Sequence, residues 1–202
     1  MLIWCSSTII EATREICITS RDRILAYFYF DFQRPDEHDI ECLLGSILRQ
    51  ICANEVVIPK PVEAMHDKHK MAGHRPSAQE LETTFSDVVK NLNKDVYVTI
   101  DALDEAPGSN GKRNRVLKLL GRLAGSSFSN LHILVTSRNE LDIRSCIGPL
   151  SHDGISIGDS VVDADIRKFV LSSIAEDDRM SKLAPDIKDL ILSRLAEGAK
   201  GM

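Results

Sequence analysis

Three acids and an arginine, placed at the ends of two apolar segments, are the residues here with the clearest chemistry. In VYVTIDALDEA, residues 96–106, five strand-forming residues run into Asp101, and Asp104 and Glu105 follow after two more. A hard cation such as Mg2+ takes one or two carboxylates and keeps its other positions for water and phosphate oxygens. An aspartate at the end of a rigid strand holds such an ion in one place, and a nearby glutamate can orient or deprotonate a water for in-line attack on a phosphoryl group. In LHILVTSRN, residues 131–139, a second apolar run ends in Thr136, Ser137 and Arg138. A guanidinium there can reach a phosphate with a fork of donors. Taken alone, each segment also reads as a surface feature: an acidic loop in the first, a helix-capping arginine in the second. Their occurrence together, each directly after a hydrophobic strand, favours a site for a cation and a phosphate.

The elements that must position these residues alternate between helix and strand. Residues 5–18 read as a helix and ILAYFYFDF, 24–32, as a buried strand. Apolar residues recur at helical spacing through 40–52, after acids at Asp36 and Asp39. Pro59, Pro61, Gly73 and Pro76 break the next stretch into short helices and loops. Ser77, with Glu80 three residues on, forms a capping-box signature for a helix through AQELETTFSDVVKNL. Strands at 96–100 and 131–136, helices at 116–123 and 139–147, and a weak strand at 155–157 follow. Two amphipathic helices close the pattern: 163–174, with Asp163 as N-cap, and 185–195, with Pro185 in its first turn. Short strands alternating with helices predict an α/β fold, a three-layer parallel sheet covered on both faces. In such sheets chemistry gathers at the carboxyl ends of the strands, where Asp101 and Arg138 fall.

Composition narrows the function classes. With 202 residues the chain holds one substantial core, and 43% hydrophobic with 27% charged residues is the balance of a folded domain rather than a disordered one. The net charge of −5 leaves no broad basic field for nucleic acid, which also argues against a metal-dependent nuclease, and no polybasic cluster for a membrane surface. Five cysteines (Cys5, Cys17, Cys42, Cys52, Cys146), odd in number and without CxxC spacing, read as mostly buried, reduced thiols, with a cytoplasmic location as the default. His66, His69 and His74 raise the idea of zinc, but no cysteine lies near and few acids do, so a solvated helix and loop is the expected reading. Ser137 has no GxSxG elbow around it. Trp4 either packs on the sheet or belongs to an interrupted upstream segment.

IDALDE followed about thirty residues later by ILVTSR resembles the Walker B and sensor 1 segments of the NACHT branch of the signalling (STAND) P-loop NTPases. The similarity is greatest to the fungal NLR-like proteins whose domain is also described as nephrocystin-3-like. SSTIIE at 6–11 resembles the start of that family's helix after the phosphate-binding loop, LAYFYFDF at 25–32 its second strand, and LLGSILRQI at 43–51 its next helix. DIRKFVLSSI at 165–174 and LAEGAKGM at 195–202 resemble the region beyond its sheet. The resemblance implies a nucleotide-dependent switch that binds Mg2+ with ATP or GTP, hydrolyses it slowly, and oligomerises with itself or with related NLR-like chains in non-self recognition or cell-death signalling. It implies Asp101 as the acid holding Mg2+ through water. It implies Asp104 and Glu105 as the extended acids, one of them activating water, and Arg138 as the sensor of the γ-phosphate.

One part of the family pattern is missing. No GxxxxGK[ST] occurs; the Gly111-Lys112 pair is followed by Arg113 and lies after the acids, so it cannot be the phosphate-binding loop. In the family that loop and its strand stand just upstream of Cys5, where MLIW is found, so the sequence reads as a core that lacks its first strand and its Walker A loop. The family's first strand lies centrally in the sheet, so without it the remaining strands must close up, or something else must fill the slot, or the chain must be poorly stable. The expected division is an incomplete NTPase core over residues 1–160 and the start of a helical region over 161–202. Two functions stay open: a switch enzyme whose nucleotide grip lies in a longer product, or a catalytically silent module that docks to intact relatives.

Overall fold

A computed structural model of the chain describes residues 2–20, 22–31, 33, 39–126, 128–150, 154, 159–177 and 179–198. It divides into two compact units, Met1–Ser151 and His152–Met202.

The first unit is built on three parallel strands in the order β1 (Arg23–Tyr29), β2 (Asp95–Asp101), β3 (Leu131–Val135). Alternation sorts each strand's side chains onto two faces. Ile24, Val96 and Leu131 stand in register, as do Ala26, Val98 and Ile133, and Phe28, Ile100 and Val135. This wholly apolar face meets α2 (Ile40–Ala53), α4 (Ala78–Asn91) and α5 (Lys112–Gly125) in one continuous core. The stripe Ile40, Leu43, Leu44, Ile47, Leu48, Ile51 of α2 is buried in that core, as are Leu81, Phe85, Val88 and Val89 of α4 and Val116, Leu117, Leu119, Leu120 and Leu123 of α5. A fully buried side chain of this size contributes about 1.5–3 kcal/mol, so three such stripes fix which face each helix turns inward.

The opposite face is mixed: Leu25, Tyr97 and His132 form one row, Tyr27, Thr99 and Leu134 the next, and Tyr29 with Asp101 the last. Helix α1 (Leu2–Thr19) lies over β1 and β2 there, with Arg14 reaching 5.8 Å from the centre of the Tyr27 ring. Toward β3 this face opens: His132 and Leu134 are exposed, and Ile9 and Thr13 of α1 with Tyr97, Thr99, His132 and Leu134 of the sheet line a cleft of about 220 Å3. Among the described residues, coverage of both faces therefore holds for β1 and β2 and fails for β3.

The helix expected through 40–52 is met, and Asp39 caps it by accepting from Cys42 N at 2.9 Å. Ser77 and Glu80 form the reciprocal capping box of α4. Other expectations are corrected. The stretch rich in Pro and Gly is one thirteen-residue helix, α3 (Lys60–Ala72), because Pro61 sits in its first turn, where no amide partner is lost, and Gly73 ends it at φ 70. The strand at 24–32 stops at Tyr29. Helix α6 spans only Leu141–Ile147. In the second unit α7 spans Asp159–Glu176 and α8 Pro185–Gly198, so Asp163 is interior to its helix and not its cap: no proline or glycine interrupts 159–163. The thiols of Cys17, Cys42, Cys52 and Cys146 are free and half-buried rather than fully buried, and burial raises the first three above the ordinary thiol range. The strand expected at 155–157, the side chain of Trp4 and the terminal 199–202 lie outside the described residues. No helix among the described residues is long and apolar enough to cross a membrane.

Candidate functional site

Strands β2 and β3 pair directly from Val96 with Leu131 to Ile100 with Val135, so the sheet is closed up with no strand between them. Their carboxyl ends therefore emerge side by side. Pairing continues one step beyond: Thr136 N donates to the Ile100 carbonyl at 2.9 Å, and Leu103 N donates to the Thr136 carbonyl at 3.0 Å.

Asp101 is the last residue of β2 and is 3% exposed. Burying a carboxylate is costly unless it is hydrogen-bonded. Here the Thr136 hydroxyl donates to Asp101 Oδ1 and accepts from Ala102 N at 3.1 Å, so one threonine links both strand ends. On the other side Phe30 N donates to the Asp101 carbonyl at 3.1 Å. Tyr29 stands opposite Asp101 in register; burial chiefly, and then the Asp101 charge, push its phenol above the ordinary range. Immediately after Asp101 the backbone enters the left-handed region at Ala102, φ 53, the one non-glycine among the described residues with positive φ. That turn lets a single 3-10 turn, Leu103–Glu105, fold back over the sheet end, with Leu103 buried in the core as its anchor.

Asp104 and Arg138 come together as the sequence could not specify. Arg138 N donates to Asp104 Oδ1 at 3.0 Å, and its Nε lies 3.4 Å from Oδ2. The Asp104 side chain is 6% exposed and that of Arg138 58%, so the acid is the fixed partner and the arginine the reachable one. Glu105 sits in the same turn, half-buried. The three acids do not converge: no group of three His, Cys, Asp or Glu able to hold a metal occurs among the described residues. Asp101 thus stands as a single buried carboxylate beside a hydroxyl, and Asp104 as the anchor of an arginine.

Arg113 is the residue that the sequence reading passed over. Its Nε donates to the Ala106 carbonyl at 3.1 Å, its guanidinium also reaches the Asp104 carbonyl, and Nη1 meets Glu140 at 2.6 Å and Asp142 at 3.4 Å. It rivets the acidic turn to the segment that follows Arg138. One signal was present: Lys112 and Arg113 open a helix, where the macrodipole disfavours cations, so an arginine there needs anions from elsewhere in the fold. Ser137 donates its hydroxyl to the Arg138 carbonyl at 2.7 Å, which uses it in the turn.

Residues 4–138 match the family model of the N-terminal region of nephrocystin 3, two thirds of the chain. The chain belongs to that family. The span shared with the nephrocystin 3 N-terminal family runs from α1 to Arg138 and so contains Asp101, Asp104, Glu105, Arg113 and Thr136. No curated protein matches the chain.

For Mg2+ the fit is partial and physical: a buried strand-end carboxylate with a neighbouring hydroxyl is the one-carboxylate anchor that a hydrated Mg2+ takes. For the nucleotide the fit fails within these residues. The 202 residues contain no Gly-rich loop ending in Gly-Lys-Ser/Thr to cradle phosphates. A cavity of about 540 Å3 is lined by Val57, Pro59, Val88 and Leu92, and none of Asp101, Asp104, Glu105 and Arg138 is in its lining.

Proposed function

We propose that the chain is the acid-and-sensor part of a nucleotide-dependent signalling switch of the NACHT type, a P-loop NTPase fold. The observation that carries this is the adjacency of two strand ends: Asp101 with Thr136, and Asp104 with Arg138, within a chain of the nephrocystin 3 N-terminal family. In this reading Asp101 holds a hydrated Mg2+, whose charge would screen phosphate oxygens when bound. Arg138 reads the terminal phosphate, and Asp104 parks it until then. Glu105, in the same turn, is the acid that orients water, and Asp104 is the acid that holds the arginine. Thr136 keeps the Asp101 carboxylate turned toward the strand ends. The phosphate cradle has to come from residues beyond these 202, and no hydrolytic step is assigned to the chain by itself.

Mapping the 5′ end of the native transcript tests this reading. A product encoding a strand and GxxxxGK[ST] ahead of Cys5 supports it, and in that product Asp101→Asn is expected to abolish Mg2+-dependent nucleotide binding and phosphate release. Residues 1–202 alone are expected to show no Mg-ATP or Mg-GTP binding in the micromolar range by calorimetry. Micromolar affinity there would overturn the placement of the grip outside them.

The alternative, a silent module that docks to intact relatives, is favoured by one observation: Arg138 is already engaged by Asp104 rather than held toward a ligand. A transcript that starts at Met1 selects it.

A further inference from the structure

The α3–α4 junction brings together histidines that the sequence reading assigned to a solvated helix and loop, a reading that the burial of His69 corrects. His69, near the end of α3, is 6% exposed, and its ring meets that of His74 just beyond Gly73. The two Nδ1 atoms are 2.9 Å apart, and the ring centroids 4.7 Å apart at 74°. Two rings meeting end to end would hold their centroids farther apart than this, so the two nitrogen axes are bent toward each other.

The rest of the cluster sets which nitrogens carry lone pairs. His69 Nε2 lies 3.2 Å from Glu80 Oε1, and a carboxylate accepts, so Nε2 carries the proton and Nδ1 presents its lone pair to His74. Glu80 is held in place by Lys68 and by the Ser77 amide and hydroxyl. A carboxylate behind a histidine whose other nitrogen faces outward is the arrangement that orients metal-ligating imidazoles. The carbonyl of Arg75 lies 3.3 Å from His74 Nδ1.

The spacing says which geometry fits. With metal–nitrogen bonds of about 2.0–2.1 Å, ligands at right angles stand about 2.9 Å apart and tetrahedral ones about 3.3–3.4 Å apart. The observed 2.9 Å, spanned in the metal-free protein by a hydrogen bond, matches the right-angled value, so an ion can replace the proton without moving the rings apart. We propose that Nδ1 of His69 and Nδ1 of His74 form a two-histidine site for a divalent transition metal of tetragonal preference, Cu2+ foremost. His74 takes its Nε2-protonated tautomer when the ion binds, and water with the Arg75 carbonyl completes the coordination. No third His, Cys, Asp or Glu joins the pair among the described residues, so the protein supplies two side-chain donors. His66, one turn before His69, is exposed and faces Asp67 at 3.4 Å instead.

Cu2+ titration of the 202-residue chain tests this, with calorimetry for affinity and electron paramagnetic resonance for ligand type. One site with two imidazole nitrogens in the copper plane is expected. His74→Gln, at an exposed position that does not threaten folding, is expected to weaken Cu2+ binding by about tenfold or more, the scale of losing an ordered metal contact. His69→Gln, checked for native circular dichroism, is expected to do the same, and His66→Gln to leave the affinity unchanged. A spectrum without two imidazoles, an unchanged affinity in His74→Gln, or an equal loss in His66→Gln overturns the site and leaves the pair a hydrogen bond only.

Discussion

At the residue scale, the site depends on a few polar atoms whose partners lie on the neighbouring strand end. Thr136 both donates to Asp101 and accepts from Ala102 N, so Thr136→Val removes two hydrogen bonds while keeping the side chain's shape. A buried group left without its partner costs about 1–3 kcal/mol, and urea unfolding of Thr136→Val is expected to show a loss in that range. A loss below about 0.5 kcal/mol would mean that water replaces the threonine. Ala102 holds φ 53, where a Cβ is strained by about 1–2 kcal/mol. Glycine removes that strain and pays back part of it in backbone entropy, so Ala102→Gly is expected to be neutral to about 1 kcal/mol stabilising in the same assay. The acids and Arg138 were legible as candidates because each ends an apolar run. Their pairings were not, since Asp104 and Arg138 are 34 residues apart in sequence and meet only when β2 and β3 are neighbours.

At the element scale, the α3–α4 junction is the place where local signals and long-range contacts combine. Lys68 first, and then the Ser77 amide and hydroxyl, hold the Glu80 carboxyl well below the ordinary glutamate range. A depressed folded-state value means the stabilisation is present above the unfolded value of about 4.3 and is lost as pH falls below it. Wild type is therefore expected to unfold at higher urea than Glu80→Gln near pH 6, with the gap closing as the pH is lowered toward 3. A gap that stays constant over that range would show that Glu80 acts only as a neutral cap. The capping box itself was readable from Ser77 and Glu80, because it needs only a spacing of three. The length of α3 was not: a proline in the first turn and a glycine just past the last are both compatible with a continuous helix, and only the finished turn shows that nothing between them breaks it.

At the scale of the whole molecule, the core that joins the sheet to α2, α4 and α5 lies entirely within the first unit. That unit is expected to fold without the second. A chain of residues 1–151 should unfold in one cooperative transition, seen alike by circular dichroism and by fluorescence of its tyrosines and tryptophan. Loss of cooperativity on removing residues 152–202 would place part of the first unit's stability in the second.

The sequence by itself determined the α/β class, the three strands of the sheet, the inward face of α2, the α4 cap and the candidate acids and arginine. All of these follow from period, spacing and side-chain chemistry within one segment. The apolar residues Phe169, Ile187, Leu190 and Leu195 of α7 and α8, read as a packing face, are instead exposed. Tertiary structure alone decided that β2 pairs with β3, that Thr136 rather than a third acid completes Asp101, and that Arg113 rivets the acidic turn to Glu140. It also decided that His69 turns inward to meet His74. Strand order and side-chain partners across 27 to 35 residues of chain are set by which surfaces pack together, and no local pattern encodes that choice.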